Sequence, residues 1–223
     1  MEFSLHRQLK QHYATGNACQ EVVVGTFRID VVVEDQLIEI QHGSLAAIRA
    51  KIAALLGQYQ VLVVKPIVAR KRIIKRTRRG GRVQTRRWSP KRGTPLDLFD
   101  ELVYFTRVFP HPNLDLEVPL VQIEEDRVPG HGRRRRWRAS DFEVEDQRLL
   151  DVKSTLHFHA ATDLWALLPD NLPNPFHTAD LAARLDVPRR TAQRIAFCLR
   201  EMGVAKQVGK QGNTRLYAVA KAA

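Results

Sequence analysis

Two short apolar runs, at residues 27–33 and 37–40, flank an acidic tip at residues 34–36. Runs of β-branched residues separated by a short polar turn predict a β-hairpin. A third run at residues 21–24 is followed by Gly25-Thr26, which indicates a tight turn into the hairpin. The pattern therefore predicts three neighbouring antiparallel strands.

Helical periodicity surrounds these strands. Residues 2–13 carry apolar side chains at helical spacing, which predicts a first helix. Residues 45–56 show the same spacing and predict a second helix, with Ser44 as its N-cap and Gly57 as its end. Residues 60–65 then form a near-continuous apolar run, typical of a strand buried on both faces. The order of elements predicts an α/β (α+β) core with a mixed sheet, because a helical crossover makes the last strand parallel to the strand before the helix.

The middle of the chain is rich in cations. Residues 70–92 hold twelve Lys or Arg and no acid, and Gly80-Gly81 predicts a hairpin turn. Such a run is commonly a solvated face or a flexible arm, but interleaved apolar residues favour an ordered ribbon that presents cations to phosphates. The remaining periodicity predicts a helix at residues 96–108, a strand at 114–123 that ends before the acids at 124–126, and one or two strands at 141–158.

Helical spacing returns near the C-terminus. It predicts a short helix at residues 163–168, a helix that begins at Thr178 as its N-cap, and a longer helix at residues 189–202. Two short strands at residues 204–208 and 215–219 follow, joined by a glycine-containing turn. Helix, tight turn, helix and two-stranded hairpin is the order found in helix-turn-helix domains that carry a wing.

Composition narrows the class of protein. The chain has 223 residues, enough for one large or two small domains, and a formal net charge of +12, which indicates a polyanionic partner such as nucleic acid. Cys19 and Cys198 are too far apart to indicate a disulfide framework or a zinc finger. No apolar run is long enough for a membrane span and no signal peptide is evident, so we expect no membrane partner and a cytoplasmic, nucleoid-associated location.

Three carboxylates mark the predicted strands. Glu21, Asp30 and Glu39 fall one on each, among β-branched neighbours. A carboxylate in a half-buried strand is unfavourable unless it is paired, and paired carboxylates suit a hard divalent cation. The alternative is that Asp30 pairs with Arg28 on a solvent face while Glu39 is an ordinary edge charge.

The order of elements, with Glu21, Asp30 and the triplet Glu39-Ile40-Gln41, resembles the PD-(D/E)XK nuclease superfamily over residues 1–68. The resemblance implies a restriction-endonuclease-like core that hydrolyses phosphodiester bonds with Mg²⁺ or Mn²⁺. Asp30, Glu39 and the main-chain carbonyl of Ile40 would be the metal ligands, and Glu21 a further acid at the catalytic site. The same stretch also resembles a group of bacterial proteins with a similar Glu-Ile-Gln motif.

The departure from the superfamily pattern is Gln41, where a lysine would orient the attacking water and stabilise charge. Glutamine can donate a hydrogen bond to water but supplies no cation. Lys51 on the following helix could replace that lysine, as could Lys10 on the first helix, or else Lys51 is an ordinary exposed helix residue.

The C-terminal segment at residues 181–219 resembles the winged-helix domain of bacterial DNA-binding proteins. Residues at the start of the second helix of such domains contact base edges, and the wing contacts phosphates or the minor groove. The predicted DNA contacts are Arg189, Arg190, Thr191, Gln193 and Arg194 on that helix, Lys206, Lys210, Gln211, Asn213 and Arg215 on the wing, and Arg78, Arg79, Arg82, Arg86, Arg87, Arg134, Arg135 and Arg136 in the basic segments. Winged helices also serve as protein–protein modules.

The chain thus predicts a nuclease-like core at residues 1–68, a basic β-rich extension at 69–158 and a winged helix-turn-helix domain at 159–223. The predicted function is a metal-dependent endonuclease on double-stranded DNA, which a homodimer would suit because a duplex needs two cuts. Two alternatives remain: a catalytically inactive DNA-binding regulator, and an RNA-binding or RNA-processing factor. His157 and His159 form the one close histidine pair, without partners at zinc-site spacing.

Overall fold

The computed structural model describes residues 3–130 and 141–220. Its helices are α1 (Ser4–Tyr13), α2 (Arg49–Leu55), α3 (Leu98–Leu102), α4 (Thr178–Leu185) and α5 (Arg189–Glu201). Its strands are β1 (Cys19–Val24), β2 (Phe27–Val33), β3 (Gln36–Ile40), β4 (Gln60–Val64), β5 (Ile67–Arg76), β6 (Val83–Trp88), β7 (Leu114–Pro129), β8 (Phe142–Phe158), β9 (Ala205–Gln211) and β10 (Thr214–Val219). The predicted α/β class with a mixed sheet is confirmed.

The first three strands and their crossover follow the predicted order. β1, β2 and β3 pair antiparallel, and β3 pairs with β4 in parallel. Ser44 accepts a hydrogen bond from the N–H of Ala46, as a cap should, but the chain first forms a 3-10 turn at Leu45–Ala47 and only then α2. The crossover therefore carries a shorter α-helix than the apolar spacing predicts.

β7 is the central strand of the large sheet. β4 and β5 lie end to end along one of its edges, both parallel to it, and β8 runs antiparallel along the other edge. The break between β4 and β5 falls at Lys65-Pro66, where Pro66 has no N–H to donate to the ladder. This arrangement joins the basic β5–β6 hairpin to the same sheet that carries the three carboxylates.

The prediction that the strand at residues 114–123 ends before the acids at 124–126 is wrong. β7 continues through Glu124, Glu125 and Asp126, which are 7%, 2% and 3% exposed. Each acid meets a cation from a neighbouring strand, so charge pairing replaces the apolar alternation expected of a buried strand. Residues 142–158, predicted as one or two strands, form the single strand β8.

The helix predicted at residues 96–108 is also shorter than expected. A 3-10 turn at Pro95–Asp97 leads into α3, which ends at Leu102. Beyond it, Phe105 donates its N–H to the carbonyl of Leu102, three residues back, as in a tight turn. Val103, Tyr104, Phe105 and Thr106 are β-branched or aromatic residues, which lose side-chain freedom in a helix. The segment instead folds as turns that bury Phe105 and Phe109.

Two apolar clusters cover the two faces of the sheet. The smaller packs Leu5 and Leu9 of α1 against Val31, Ile40 and neighbouring strand residues. The larger lies beneath α2 and α3 and continues without interruption into α4, α5 and the β9–β10 hairpin. The C-terminal segment thus shares its core with α3, while the predicted division into domains stays a prediction.

The C-terminal elements follow the predicted order, with one change of cap and one of helix type. His177, not Thr178, is the N-cap of α4: its ring accepts a hydrogen bond from the N–H of Asp180, whose carboxylate accepts from the N–H of His177. The predicted helix at 163–168 is a 3-10 helix at Ala161–Leu167. Within the described residues, no helix is long and apolar enough to cross a membrane.

Candidate functional site

The structure brings Glu21, Asp30 and Glu39 side by side. In the β1–β2 ladder Gln20 pairs with Val31 and Val22 with Ile29, so Glu21 lies opposite Asp30. In the β2–β3 ladder Val31 pairs with Ile38, so the next position along places Glu39 beside Asp30 from the other strand. The three acids therefore form one row across three strands.

The strand geometry is irregular at this row. Ile29 packs in the larger apolar cluster and Val31 in the smaller one, although residues two apart on a strand normally share a face. Opposite Asp30, Glu21 has a φ of 58°, in the left-handed region that is uncommon for a residue with a side chain. The alternation of faces thus breaks at Asp30, whose Oδ2 accepts the N–H of Ile40 at 2.8 Å.

Each carboxylate has a cationic or imidazole partner. His6 Nε2 lies 3.0 Å from Asp30 Oδ1, and Lys51 Nζ donates to Glu39 Oε2 at 2.6 Å. Glu21 forms ion pairs with Lys10 and Arg28. Lys51 also donates to the main-chain carbonyl of Arg28, so one ammonium connects α2 to both β2 and β3.

His6 is the residue that sequence reasoning missed. It lies four residues before Lys10 on α1, and residues four apart share one face of a helix. Leu5 and Leu9, one position before each, carry the apolar face of α1 against the sheet. Recognising that a histidine and a lysine border this buried stripe would have pointed to the site.

The pKa directions separate the two central acids. Burial would raise the pKa of Asp30, but hydrogen bonds from His6 and the N–H of Ile40 outweigh it, and the net pKa is lowered. Burial raises the pKa of Glu39, and the nearby charge of Asp30 raises it further against the opposing hydrogen bond from Lys51. Two carboxylates that share a site and differ in this way are common at functional centres.

The predicted metal ligands are only partly arranged as such. Among the described residues, no group of three or more His, Cys, Asp and Glu side chains is placed to hold a metal ion. Because Mg²⁺ commonly takes one or two protein carboxylates and keeps several waters, a site made of Asp30 and Glu39 stays a prediction. Ile40 meets Asp30 through its N–H, and a role for its carbonyl as a ligand stays a prediction.

Gln41 is turned towards the loop that follows β3. Its side-chain Nε2 donates to the carbonyl of Ser44 at 2.8 Å, and its main-chain N–H donates to the carbonyl of Val64 at 2.9 Å. The loop is also held by Lys65, which donates to the carbonyls of His42 and Gly43. The described contacts of Gln41 are therefore those of a residue that orders the loop.

Two kinds of cation lie on the basic β5–β6 hairpin and the strands beside it. The predicted DNA contacts Arg78, Arg79, Arg82, Arg86 and Arg87 are all exposed, with Arg79 3.4 Å from Glu143. A second set, which no sequence pattern indicated, forms ion pairs with the three buried acids of β7: Lys71, Arg72, Arg76, Arg127 and Arg148. Arg134, Arg135 and Arg136 lie outside the described residues.

Four of the ten predicted contacts of the C-terminal segment line a groove of about 350 Å³ between α5 and the β9–β10 hairpin. Arg189, Gln193, Asn213 and Arg215 line it. Four other predicted contacts are exposed nearby in sequence (Arg190, Lys206, Lys210 and Gln211), while Thr191 is half-buried. Arg194 is turned away from this set, because it pairs with Asp100 of α3.

The two close histidines have acidic partners across the ladder. His157 Nδ1 lies 3.1 Å from Glu117 Oε1, and His159 Nδ1 lies 2.7 Å from Asp115 Oδ1. The partner that sequence spacing could not supply comes from β7, because β7 and β8 are antiparallel with Glu117 opposite His157.

Comparison with known proteins identifies relatives without assigning a chemistry. The chain is 32% identical, over 218 residues, to an uncharacterized protein of Treponema pallidum (strain Nichols), an alignment that covers 97% of this chain and 84% of that protein. No solved structure matches the chain. Residues 3–159, which include the carboxylate row and the basic hairpin, match the family described as "Domain of unknown function (DUF8091)", and the chain belongs to that family.

Proposed function

We propose that this protein is a metal-dependent DNA endonuclease with a restriction-endonuclease-like core and a C-terminal winged helix. The observation that carries the proposal is the row of Glu21, Asp30 and Glu39 across three strands, with Lys51 hydrogen-bonded to Glu39. The Lys51 ammonium supplies next to Glu39 the positive charge that the glutamine at position 41 cannot supply.

Asp30 and Glu39 would hold the metal, together with the Ile40 carbonyl and water. Mg²⁺ or Mn²⁺ bound there would neutralise charge on the phosphate and lower the pKa of a bound water. A hard cation is favoured over zinc because the donors are carboxylate oxygens.

The chain's own residues have separable roles in this proposal. The hydrogen bonds from His6 and the N–H of Ile40 keep Asp30 ionised, as a metal ligand must be. Lys51 orients Glu39 and supplies positive charge next to the reacting phosphate. Glu21 contributes a further carboxylate beside Asp30, held by Lys10 and Arg28.

Binding to duplex DNA is proposed for two surfaces. The exposed arginines of the β5–β6 hairpin supply cations without sequence preference, and the groove lined by Arg189, Gln193 and Arg215 supplies groups that can contact bases and phosphates. A homodimer is part of the same proposal, since two centres would cut both strands.

The test is nicking of a supercoiled plasmid by the full chain with Mg²⁺ or Mn²⁺ and with EDTA. Asp30→Asn should lower the nicking rate by at least about 100-fold, since even outer-shell changes at metal sites cost 10- to 100-fold. Lys51→Gln should lower it without abolishing DNA binding. Asp35→Asn, an exposed acid at the tip of the same hairpin, is the matched control and should leave the rate unchanged. Cleavage that survives Asp30→Asn would disprove the proposed centre.

A second candidate, a DNA-binding regulator without catalysis, is favoured by one observation. Glu21 and Glu39 are already neutralised by the chain's own lysines and arginine, and Gln41 is hydrogen-bonded to the Ser44 carbonyl rather than free to orient a water. Under this alternative the purified chain would bind duplex DNA equally well with Mg²⁺ or EDTA and would nick no substrate. Isothermal titration with Mn²⁺ would then show no heat that depends on Asp30.

A further inference from the structure

A cleft of about 710 Å³ opens between the start of β5, the segment after β6 and α3. Six cationic side chains and two carboxylates line it: Lys65, Lys71, Arg87, Lys91, Arg92 and Arg127, with Asp97 and Glu101. A concave surface with this excess of one charge concentrates ligands of the opposite charge. The cleft therefore suits an anion.

Two cations at the floor of the cleft, Lys71 and Arg127, are held in place by a buried acid. Glu125, 2% exposed, accepts from Lys71 Nζ at 2.6 Å, and Arg127 Nη2 lies 2.6 Å from its other oxygen. One carboxylate thus fixes two cations beside each other at the cleft. Cations held by such contacts lose less freedom when they bind a ligand.

Three other cations, which lie at the rim of the cleft, lack such ion pairs with the residues described. Arg87, Lys91 and Arg92 are exposed, and none of them forms an ion pair with a residue in the described part of the chain. The segment that carries Lys91 and Arg92 is fastened to β5 at both ends, by Ser89 N–H to the Lys71 carbonyl and by Gly93 N–H to the Val68 carbonyl. Unpaired charge is therefore placed over a floor that is already positive.

The cleft adjoins the carboxylate row. β3 and β4 are parallel with Ile40 paired to Val64, so Lys65 follows in register beside Gln41, two residues beyond Glu39. Strand rise and strand spacing place the Cα atoms of Lys65 and Glu39 about 8 Å apart. This distance is short enough for one nucleic-acid strand to extend from the carboxylate row to the cleft, since a strand carries phosphates at regular, closely spaced intervals.

We propose that this cleft binds phosphates of the same DNA strand whose scissile phosphate lies at Asp30 and Glu39. The proposal rests on the proposed nuclease function for its register, but the binding itself needs no catalysis. Lys71 and Arg127 form the fixed part of the site, and Lys91 and Arg92 contact the strand from the rim of the cleft.

The test measures binding of a labelled 20-base-pair duplex by fluorescence anisotropy in EDTA, over a range of salt concentrations. Lys91→Gln with Arg92→Gln removes two unpaired rim cations. The matched control, Arg107→Gln with Lys153→Gln, removes the same charge from exposed positions that do not line the cleft. Each lost phosphate contact should reduce the slope of log affinity against log salt by about 0.9, hence by about 1.8 for the rim variant.

At 0.1 M salt this slope change corresponds to roughly 60-fold weaker binding by the rim variant, and the control should keep the wild-type slope. Equal slopes for the wild type and the rim variant would overturn the proposal. So would an equally reduced slope for the rim variant and the control, because the loss would then reflect net charge rather than contacts in the cleft. Because the assay contains EDTA, loss of the nuclease function would leave this result untouched, and plasmid nicking reports on that function separately.

Discussion

The buried acid Glu125 offers the most direct test of the charge network in β7. Glu125→Gln keeps the shape of the side chain and one hydrogen-bond acceptor but removes the charge that faces Lys71 and Arg127. Gln147 also donates to Glu125, from its Nε2 at 2.7 Å. The substitution therefore leaves two cations without their counter-charge in a part of the sheet where the acid itself is 2% exposed.

The expected loss is about 3 kcal/mol of unfolding free energy at pH 7.5. Removing one partner of a buried ion pair typically costs about 3–5 kcal/mol. The lower end applies because the side chains of Lys71 and Arg127 are 27% and 17% exposed and can still reach water. For a chain of this length the loss corresponds to a melting temperature lower by about 6–12 °C.

The assay is urea unfolding at pH 7.5 and pH 4.0, with the slope against urea unchanged between variants. Burial would raise the pKa of Glu125, but hydrogen bonds from Lys71, Arg127 and Gln147 outweigh it and lower the net pKa. A carboxyl with a lowered folded pKa stabilises above its ordinary pKa of about 4.3, and this contribution is lost as the pH falls through the folded pKa. The difference between wild type and variant should therefore be smaller at pH 4.0, by up to about 0.6 kcal/mol.

Two comparisons make the result interpretable. Asp151→Asn removes an acid from the exposed pair with Lys153 and should cost less than about 0.5 kcal/mol. Glu125→Gln combined with Lys71→Met should cost less than the sum of the single changes, because each single change leaves a partner unpaired. A loss below about 1 kcal/mol for Glu125→Gln, or one equal to that of Asp151→Asn, would refute the view that Glu125 organises the network.

Two further substitutions test local geometry by thermal melting. Gly93→Ala should destabilise the folded protein by about 2 kcal/mol, because the added Cβ would lie 2.6 Å from the Val68 carbonyl oxygen. The control, Gly57→Ala, adds a Cβ that meets no atom within 4 Å and should be nearly neutral. Equal effects of the two substitutions would contradict this reasoning. His177→Ala should lower the free energy of unfolding by about 1 kcal/mol through loss of the α4 cap, and His177→Asn should retain most of the stability. Equal melting temperatures for the wild type and His177→Ala would show that the cap contributes nothing.

Local patterns predicted the part of the sheet that carries the acids. Two apolar runs and the short acidic tip were enough to predict β2 and β3, and the helical crossover between β3 and β4 was enough to predict their parallel pairing. The opposition of Glu21, Asp30 and Glu39 then follows from hairpin register alone. These features depend on neighbours in sequence, which is why sequence reasoning reached them.

Distant partners account for what sequence reasoning did not reach. The acids at 124–126 resemble a loop because three consecutive charges are unfavourable in a buried strand. They are buried only because Lys71, Arg72 and Arg76 arrive on β5 from about fifty residues away. Likewise, nothing local indicates that His6 meets Asp30, since the contact depends on how α1 packs over the sheet.

The position of Lys51 explains how a chain with glutamine at position 41 can still bring a cation to its carboxylates. The parallel crossover places α2 against the strands it connects, so a lysine on its first turn reaches both β2 and β3. Gln41 is then free to order the loop that Lys65 also holds. Because the ammonium comes from the crossover helix rather than from β3, orientation of Glu39 and order of the loop depend on different residues. Under the proposed function, substitutions at 41 and 51 should therefore affect different steps, loop placement in one case and charge at the phosphate in the other.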